Sequence, residues 1–276
     1  MSHAVPPQKQ PRWYGAVRLH RVGSIFDFLP ALCPKRSIVR SKYPLSAEEI
    51  DHYYGFILYE TTVPEGGGSR ISAAAIRDRG YIFQDGQLLN RFQRTKDTGA
   101  RDVQVSLKAG RKLRILVENQ GRICYGNHIN DDRKGLVGNV TLDGQVLTNW
   151  TIYPLTMHGL QGYMKKHWRQ LRKQLRSPHQ QDQKNRTDGF VPGFYMGSVK
   201  LDRLGDTFLD PSGWGKGEAY FNDKLLGRYW PGKGPQITLY TPSNFLKPTT
   251  SLILWELERE HRNKQGECGV KLINFP

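Results

Sequence analysis

The stretch Gly213–Tyr240, GWGKGEAYFNDKLLGRYWPGKGPQITLY, decides how this chain reads as a fold. Three glycines lead into a strand-sized run at Glu218–Asn222, small polar residues reverse the chain, and Arg228-Tyr229-Trp230 closes the return run. A Pro-Gly-Lys-Gly-Pro turn then precedes a third run at Ile237–Tyr240. Short runs punctuated by Gly, Pro, Asn and Asp are the pattern of antiparallel β-structure. The rings admit two readings: a surface presenting Trp214, Tyr229 and Trp230 to a flat partner such as a sugar or a neighbouring domain, or ordinary β-core. Both stay open at this point.

Working outward, the same pattern recurs at Gly15–Leu19, Gly55–Thr61, Gly80–Gln84, Gln87–Arg91, Val103–Leu107, Leu113–Val117, Gly138–Leu142, Phe194–Lys200 and Ser251–Leu257. Helical periodicity is scarce, so the expectation is all-β, with sandwich modules. An internal repeat organises these runs. Tyr54-Gly55-Phe56 lies 138 residues before Pro192-Gly193-Phe194, and Val117-Glu118 lies 138 before Trp255-Glu256. Phe83, Asp85 and Arg91 have counterparts in Phe221, Asp223 and Arg228, with the turn expected to be one residue shorter in the second copy. Leu88-Leu89 likewise matches Leu225-Leu226. Repeated order implies two related modules. The expected bounds are 1–45 as tail and connecting segment, 46–155 as first module, 156–189 as a basic helix with a polar loop, and 190–276 as second module.

The net charge of +16 suggests nucleic acid until it is mapped. Residues 1–47 hold eight Lys/Arg against Asp27 alone, and residues 160–186 hold eight against Asp182 alone, leaving 25 basic and 23 acidic residues elsewhere. The modules are therefore close to neutral, and the excess sits on a tail and a connector. In the connector Leu160, Tyr163, Met164, Trp168, Leu171 and Leu175 recur at helical spacing with Lys and Arg between them. A helix docked by its apolar stripe is the favoured reading over a nucleic-acid or membrane-surface helix, because no recognised nucleic-acid motif accompanies it. No run approaches the roughly 18 apolar residues of a membrane span, and MSHAVPPQKQPRW has no apolar signal region.

Catalytic chemistry is hard to find. Glycoside hydrolysis needs two carboxylates roughly 5–9 Å apart, yet Asp85, Asp131, Asp132 and Asp223 fall in turns. Glu118 and Glu256 occupy matching places in the repeat, which argues for an inherited structural role. His128 is a lone histidine. Cys33, Cys124 and Cys268 are too few and too dispersed for a disulfide framework or a zinc site, and no cofactor or metal is expected. Asn139, Asn149 and Asn185 each open an N-glycosylation triplet.

Three ordered stretches carry a family resemblance: YPLSAEEIDHYYGFILYETTVP (43–64), LVENQGRICYGNHINDDRKGLVGNVTLDGQVLTNWTIYPL (116–155) and the opening run 213–240. They resemble the C-terminal half of the family 35 β-galactosidases of lysosomal type. The resemblance implies two galactose-binding-like jelly rolls in tandem, preceded by a connecting segment, with one short basic helix between the modules. It also implies exo-hydrolysis of terminal β-galactose by the parent enzyme. The family's catalytic (β/α)8 barrel, which takes about 250 residues, matches no part of this chain, and neither catalytic glutamate has a position here. The chain is accordingly expected to be a truncated product, isoform or fragment with no turnover of its own.

By the same resemblance, the ENQGRICYG loop approaches the barrel's mouth, with Tyr125 beside the sugar and Arg122 paired to an acid. Trp214, Arg228, Tyr229 and Trp230 become packing and domain-docking residues. Relatives have a cysteine pair near the C-terminus where only Cys268 stands, so no disulfide is expected there. The implied compartment is lysosomal or extracellular. Expected partners are a catalytic barrel, if one is encoded upstream, and galactosides; self-association is left open. The competing readings are a free-standing galactose-binding lectin-like module and, last, a nucleic-acid binder.

Overall fold

The structure, a computed structural model, describes residues 10–93, 101–160, 162–164, 166–167, 192–263 and 265–275. Its described residues are almost entirely antiparallel β-structure, in two compact units. A first strand, β1 (Gly15–Ser24), belongs to the C-terminal unit, and the N-terminal unit runs from Leu29 to His158.

The N-terminal unit opens with a single helical turn, α1 (Leu29–Leu32). Its main sheet takes the order β2 (Val39–Ser41), β13 (Trp150–Leu155), β3 (Gly55–Thr62), β9 (Lys112–Asn119), β6 (Arg79–Gln84), β7 (Gln87–Gln93). The second sheet is β12 (Gln145–Val146), β11 (Val140–Leu142), β4 (Gly68–Ala73), β8 (Arg101–Leu107), and β5 (Ile76–Arg77) pairs with β10 (Gly135–Leu136). Ile57, Tyr59, Ile115, Val117 and Trp150 from the main sheet meet Ile71, Ala73, Val140 and Leu142 from the second in one core. The alternate residues Phe56, Leu58, Tyr81, Phe83 and Leu116 are also buried. The main sheet is thus apolar on both faces, which is why FILY, YIF and ILV read as continuous runs instead of alternating ones.

The C-terminal unit is built on the order β17 (Lys224–Tyr229), β16 (Gly217–Phe221), β19 (Thr249–Glu256), β14 (Gly193–Lys200), β1, β20 (Cys268–Ile273), β15 (Thr207–Asp210), β18 (Leu239–Thr241). β1 serves both halves of this sandwich: Gly15–Leu19 pair with β20, and His20–Ser24 pair with β14 across a register break between Arg21 and Gly23. Val17 and Leu19 enter the core with Tyr195, Trp214, Phe221 and Leu254, while Arg18 and His20 face water. Of residues 1–45, expected as tail and connecting segment, β1 thus lies in the sheet of the C-terminal unit and β2 in the main sheet of the N-terminal unit. The strand at Gly15 was visible in its alternation, but a pairing with residues far along the chain leaves no local mark.

The repeat has a structural counterpart. β7-β6-β9-β3 and β17-β16-β19-β14 run in the same order, and Arg79 opposite Glu118 matches Gly217 opposite Glu256. Both hairpin turns are two residues long, Asp85-Gly86 and Asn222-Asp223, all with positive φ, the conformation of a tight type I′ turn. The second turn is therefore not shorter as expected; the first hairpin instead runs one rung further, with Gln84 opposite Gln87. Of the basic connector, residues 160, 162–164, 166 and 167 are helical, with Leu160 and Met164 buried. Trp168, Leu171, Leu175 and the polar loop lie outside the described residues.

Because β1 is integral, Leu19→Ala should cost about 2–4 kcal/mol in urea-induced unfolding of the chain. A change under about 0.5 kcal/mol, the ordinary size at an exposed site, would return this segment to a tail.

Candidate functional site

Strand β9 ends in Glu118-Asn119 and delivers the chain into the exposed loop Gln120–Asp131, at one end of the N-terminal unit. The loop's base is anchored rigidly. Lys134 is completely buried, and its Nζ sits 2.9 Å from both carboxylate oxygens of Asp78 and 3.1 Å from Asp132 Oδ2. Each aspartate also holds the loop directly. Asp78 Oδ2 accepts the Gln120 amide at 2.8 Å, and Asp132 Oδ2 accepts the Ile123 amide at 3.0 Å. Arg77 adds a guanidinium 3.5 Å from Asp132 Oδ1. Two buried acids, two cations and loop amides thus compensate one another, the condition under which buried charge is tolerated.

Arg122 completes the anchor. Its Nη2 lies 2.7 Å from Glu48 Oε1, and its Nη1 donates to the Asp132 carbonyl at 2.9 Å. Glu48 sits on the short 3-10 turn Glu48–Ile50 and also accepts the Lys134 amide at 3.0 Å. Burial raises the Glu48 carboxyl's pKa, but the Lys134 amide and the Arg122 guanidinium outweigh it and hold the group below its ordinary value. Asn119 and Arg122 both donate to the Tyr53 carbonyl. Tyr53 and Tyr54 therefore flank the loop base with their rings exposed, and Tyr54 stacks on His52 at 6.2 Å.

On this base Tyr125 is 91% exposed, the most exposed large hydrophobic side chain among the described residues, with Ile129 on the same loop also exposed. His128 is exposed and 3.5 Å from Asp131 Oδ2. Cys124 is exposed, whereas Cys33 and Cys268 are buried and their thiols are pushed up to about 11. Among the described residues no group of His, Cys, Asp and Glu could hold a metal ion. The sequence analysis singled out Tyr125 and Arg122, the latter paired here with Glu48 as expected of an acid, but not Lys134, Asp78 or Glu48. The available signal was Asp131-Asp132-Arg133-Lys134, where alternate charges are buried and exposed with strand periodicity.

The C-terminal unit treats its aromatics differently. Trp214 is buried, donates Nε1–H to the Gly269 carbonyl at 2.9 Å, and meets Tyr195 edge-on at 4.8 Å. Tyr229 is buried with its hydroxyl 3.1 Å from Glu256 Oε2. Glu256, fully buried, also accepts the amides of Gly215, Lys216, Glu258 and Arg259 at 2.7–3.1 Å. Gly217 makes this possible, because a Cβ there would run into Tyr229 and the Trp255 carbonyl. Glu118, its repeat counterpart, is equally buried but faces Arg79 across the ladder. Both glutamates thus lie buried within a sheet. Arg228 is exposed, 3.7 Å from Glu218, and Trp230 is half-buried with the Lys216 and Lys233 ammoniums 4.9 and 5.6 Å from its ring centre. Asn139 and Asn149 are exposed; Asn185 lies outside the described residues.

The chain is a pair of all-β domains in tandem, the first of which displays rings on an ion-anchored loop. Residues 44–156 match the model "Beta-galactosidase, first all-beta domain", and residues 192–251 match "Beta-galactosidase, galactose-binding domain". The chain is 36% identical over 288 aligned residues to a β-galactosidase of Felis catus, covering 99% of this chain and 42% of the relative. The Homo sapiens β-galactosidase is 34% identical, with 99% and 41% covered, and β-galactosidase 17 of Arabidopsis thaliana is 30% identical, with 93% and 38% covered. The chain belongs to the β-galactosidase family through these two all-β domains, and it spans about two-fifths of the length of the relatives it matches. A GH2 β-galacturonidase structure from Eisenbergiella tayi aligns with 92% of this chain and 38% of its own at 10% identity, but its TM-score of 0.28 is too low to bear on fold or function. No helix among the described residues is long and apolar enough to cross a membrane.

Two measurements follow. Lys134→Met should destabilise the chain by about 3–5 kcal/mol, because it strands Asp78 and Asp132 in the interior; a loss below about 1 kcal/mol in urea titration would contradict the anchor. Burial raises the Glu256 carboxyl from its ordinary 4.5 to about 7, against the pull of its hydrogen bonds. The folded state then holds that proton more tightly than the unfolded one. The stabilisation is full below about pH 4.5 and lost as pH rises through about 7. Melting temperature followed from pH 4 to 8 should carry that component in the wild type and lack it in Glu256→Gln, whereas parallel profiles would refute it.

Proposed function

We propose that this chain is the all-β portion of an exo-acting β-galactosidase, acting with a catalytic (β/α)8 domain in the release of terminal β-galactose from glycoconjugates. The observation that carries this reading is coverage: two β-galactosidase domain models follow one another along the chain, and relatives align with 93–99% of it while using about two-fifths of their own length. The chemistry of the loop end agrees. Its buried aspartates neutralise Lys134 and its Glu48 is spent on Arg122, so no carboxylate pair is presented to a substrate. The anchored loop instead suits contact with a second domain, with Tyr125 lining the rim of that domain's sugar pocket and the flanking Tyr53 and Tyr54 meeting its surface. The chain by itself is non-catalytic in this reading. Its compartment is lysosomal or extracellular, in keeping with the exposed sequons at Asn139 and Asn149.

The purified chain alone should give no turnover of a chromogenic β-galactoside. Activity that survives stringent purification and tracks the chain through a column would overturn the non-catalytic assignment. When the chain is joined to a family catalytic domain, Tyr125→Ala should lower kcat/KM for the galactoside by about 10-fold, equivalent to about 1.4 kcal/mol. Unchanged kinetics would remove Tyr125 from the pocket rim.

A further inference from the structure

The main sheet of the N-terminal unit ends in a strand only three residues long, β2, and the chain beside it carries an acceptor for covalent sugar. Trp150, Thr151 and Ile152 of β13 pair with Ser41, Arg40 and Val39 of β2. One step beyond this ladder the Asn149 amide donates to the Lys42 carbonyl at 2.9 Å, so Asn149 sits directly across from the end of the edge strand. Asn149 is exposed and has φ +61°, a left-handed conformation that Asn tolerates. The central residue of its triplet, Trp150, is buried with its Nε1–H on the Leu147 carbonyl, which fixes the backbone while the asparagine remains in water. Asn139 differs: it is exposed too, but it precedes β11, an interior strand of the second sheet flanked by β12 and β4.

An end strand leaves a row of backbone groups open to another chain, and proteins blunt such edges by shortness, by charge or by covering. β2 already uses the first two devices, with Arg40 and Lys42 exposed and the Lys42 ammonium lying 5.3 Å from the centre of the exposed Tyr43 ring. An N-linked glycan is bulky, hydrated and confined to the surface. We infer that Asn149 is an N-glycosylation site whose glycan covers the β2 edge and keeps copies of the chain from associating through it. The inference rests on the secretory routing in the reading above, and it assigns to one sequon a task the other does not share.

The experiment expresses the full chain in a eukaryotic secretion host behind a supplied signal peptide. Peptide mass mapping after enzymatic deglycosylation, which leaves aspartate at each occupied site, should report Asp at position 149. The variant Asn149→Asp keeps a residue that tolerates left-handed backbone, and Thr151→Ala removes the sequon without touching Asn149. Both should lose one glycan's mass and show concentration-dependent association in size-exclusion chromatography with light scattering, whereas Asn139→Asp should elute as the wild type does. An unmodified Asn149, or variants that lose the glycan yet elute unchanged, would overturn the inference. Because the signal peptide is supplied and no galactoside assay is involved, neither result bears on the galactosidase reading.

Discussion

The burial of Lys134 is the constraint on which the functional end of this chain depends. A lysine with no solvent exposure is tolerable only where its charge is met, and Asp78 and Asp132 meet it from two directions. The same two carboxylates receive the amides of Gln120 and Ile123. Neutralising one ammonium and fixing the entry of one loop are thus a single act. Arg122 and Glu48 repeat the arrangement nearer the surface. Tyr125 projects from a loop whose stem is tied to the unit by these ion pairs and amide hydrogen bonds.

That arrangement separates display from chemistry. Asp78, Asp132 and Glu48 are engaged with Lys134, Arg122 and backbone amides, so these acids serve the loop's geometry. Glu118 and Glu256 occupy equivalent positions in two related sheets and solve the same burial problem in different ways. The first faces Arg79 across its ladder, and the second is ringed by four amides and a phenol made accessible by a glycine. Repetition preserved the carboxylate and let its partners diverge, which fits a role in architecture.

Much of the fold was legible because hairpin chemistry is local. Asp85-Gly86 and Asn222-Asp223 announce their turns, and the repeat spacing carried the ladder order from one unit to the other. What escaped was non-local or disguised. β1 finds its partners, β14 and β20, almost the whole chain away. β13 was not among the expected strands; it carries Pro154 inside its ladder with β3 but past its pairing with β2, which stops at Ile152. At the loop, Tyr125 and Arg122 were singled out only through the family resemblance. Lys134 was not, because a lysine in a charged run looks like solvated surface, and its burial against Asp78 is a contact 56 residues away in the chain.

The central claim is that the loop end of the N-terminal unit is a docking surface for a catalytic domain. Hydrogen exchange of the chain, with and without a separately produced catalytic domain of the β-galactosidase family, tests it most directly. The account predicts new protection confined to residues 119–134 and to the segment around Tyr53 and Tyr54. Protection elsewhere with that end unchanged, or no protection at saturating catalytic domain, would contradict it.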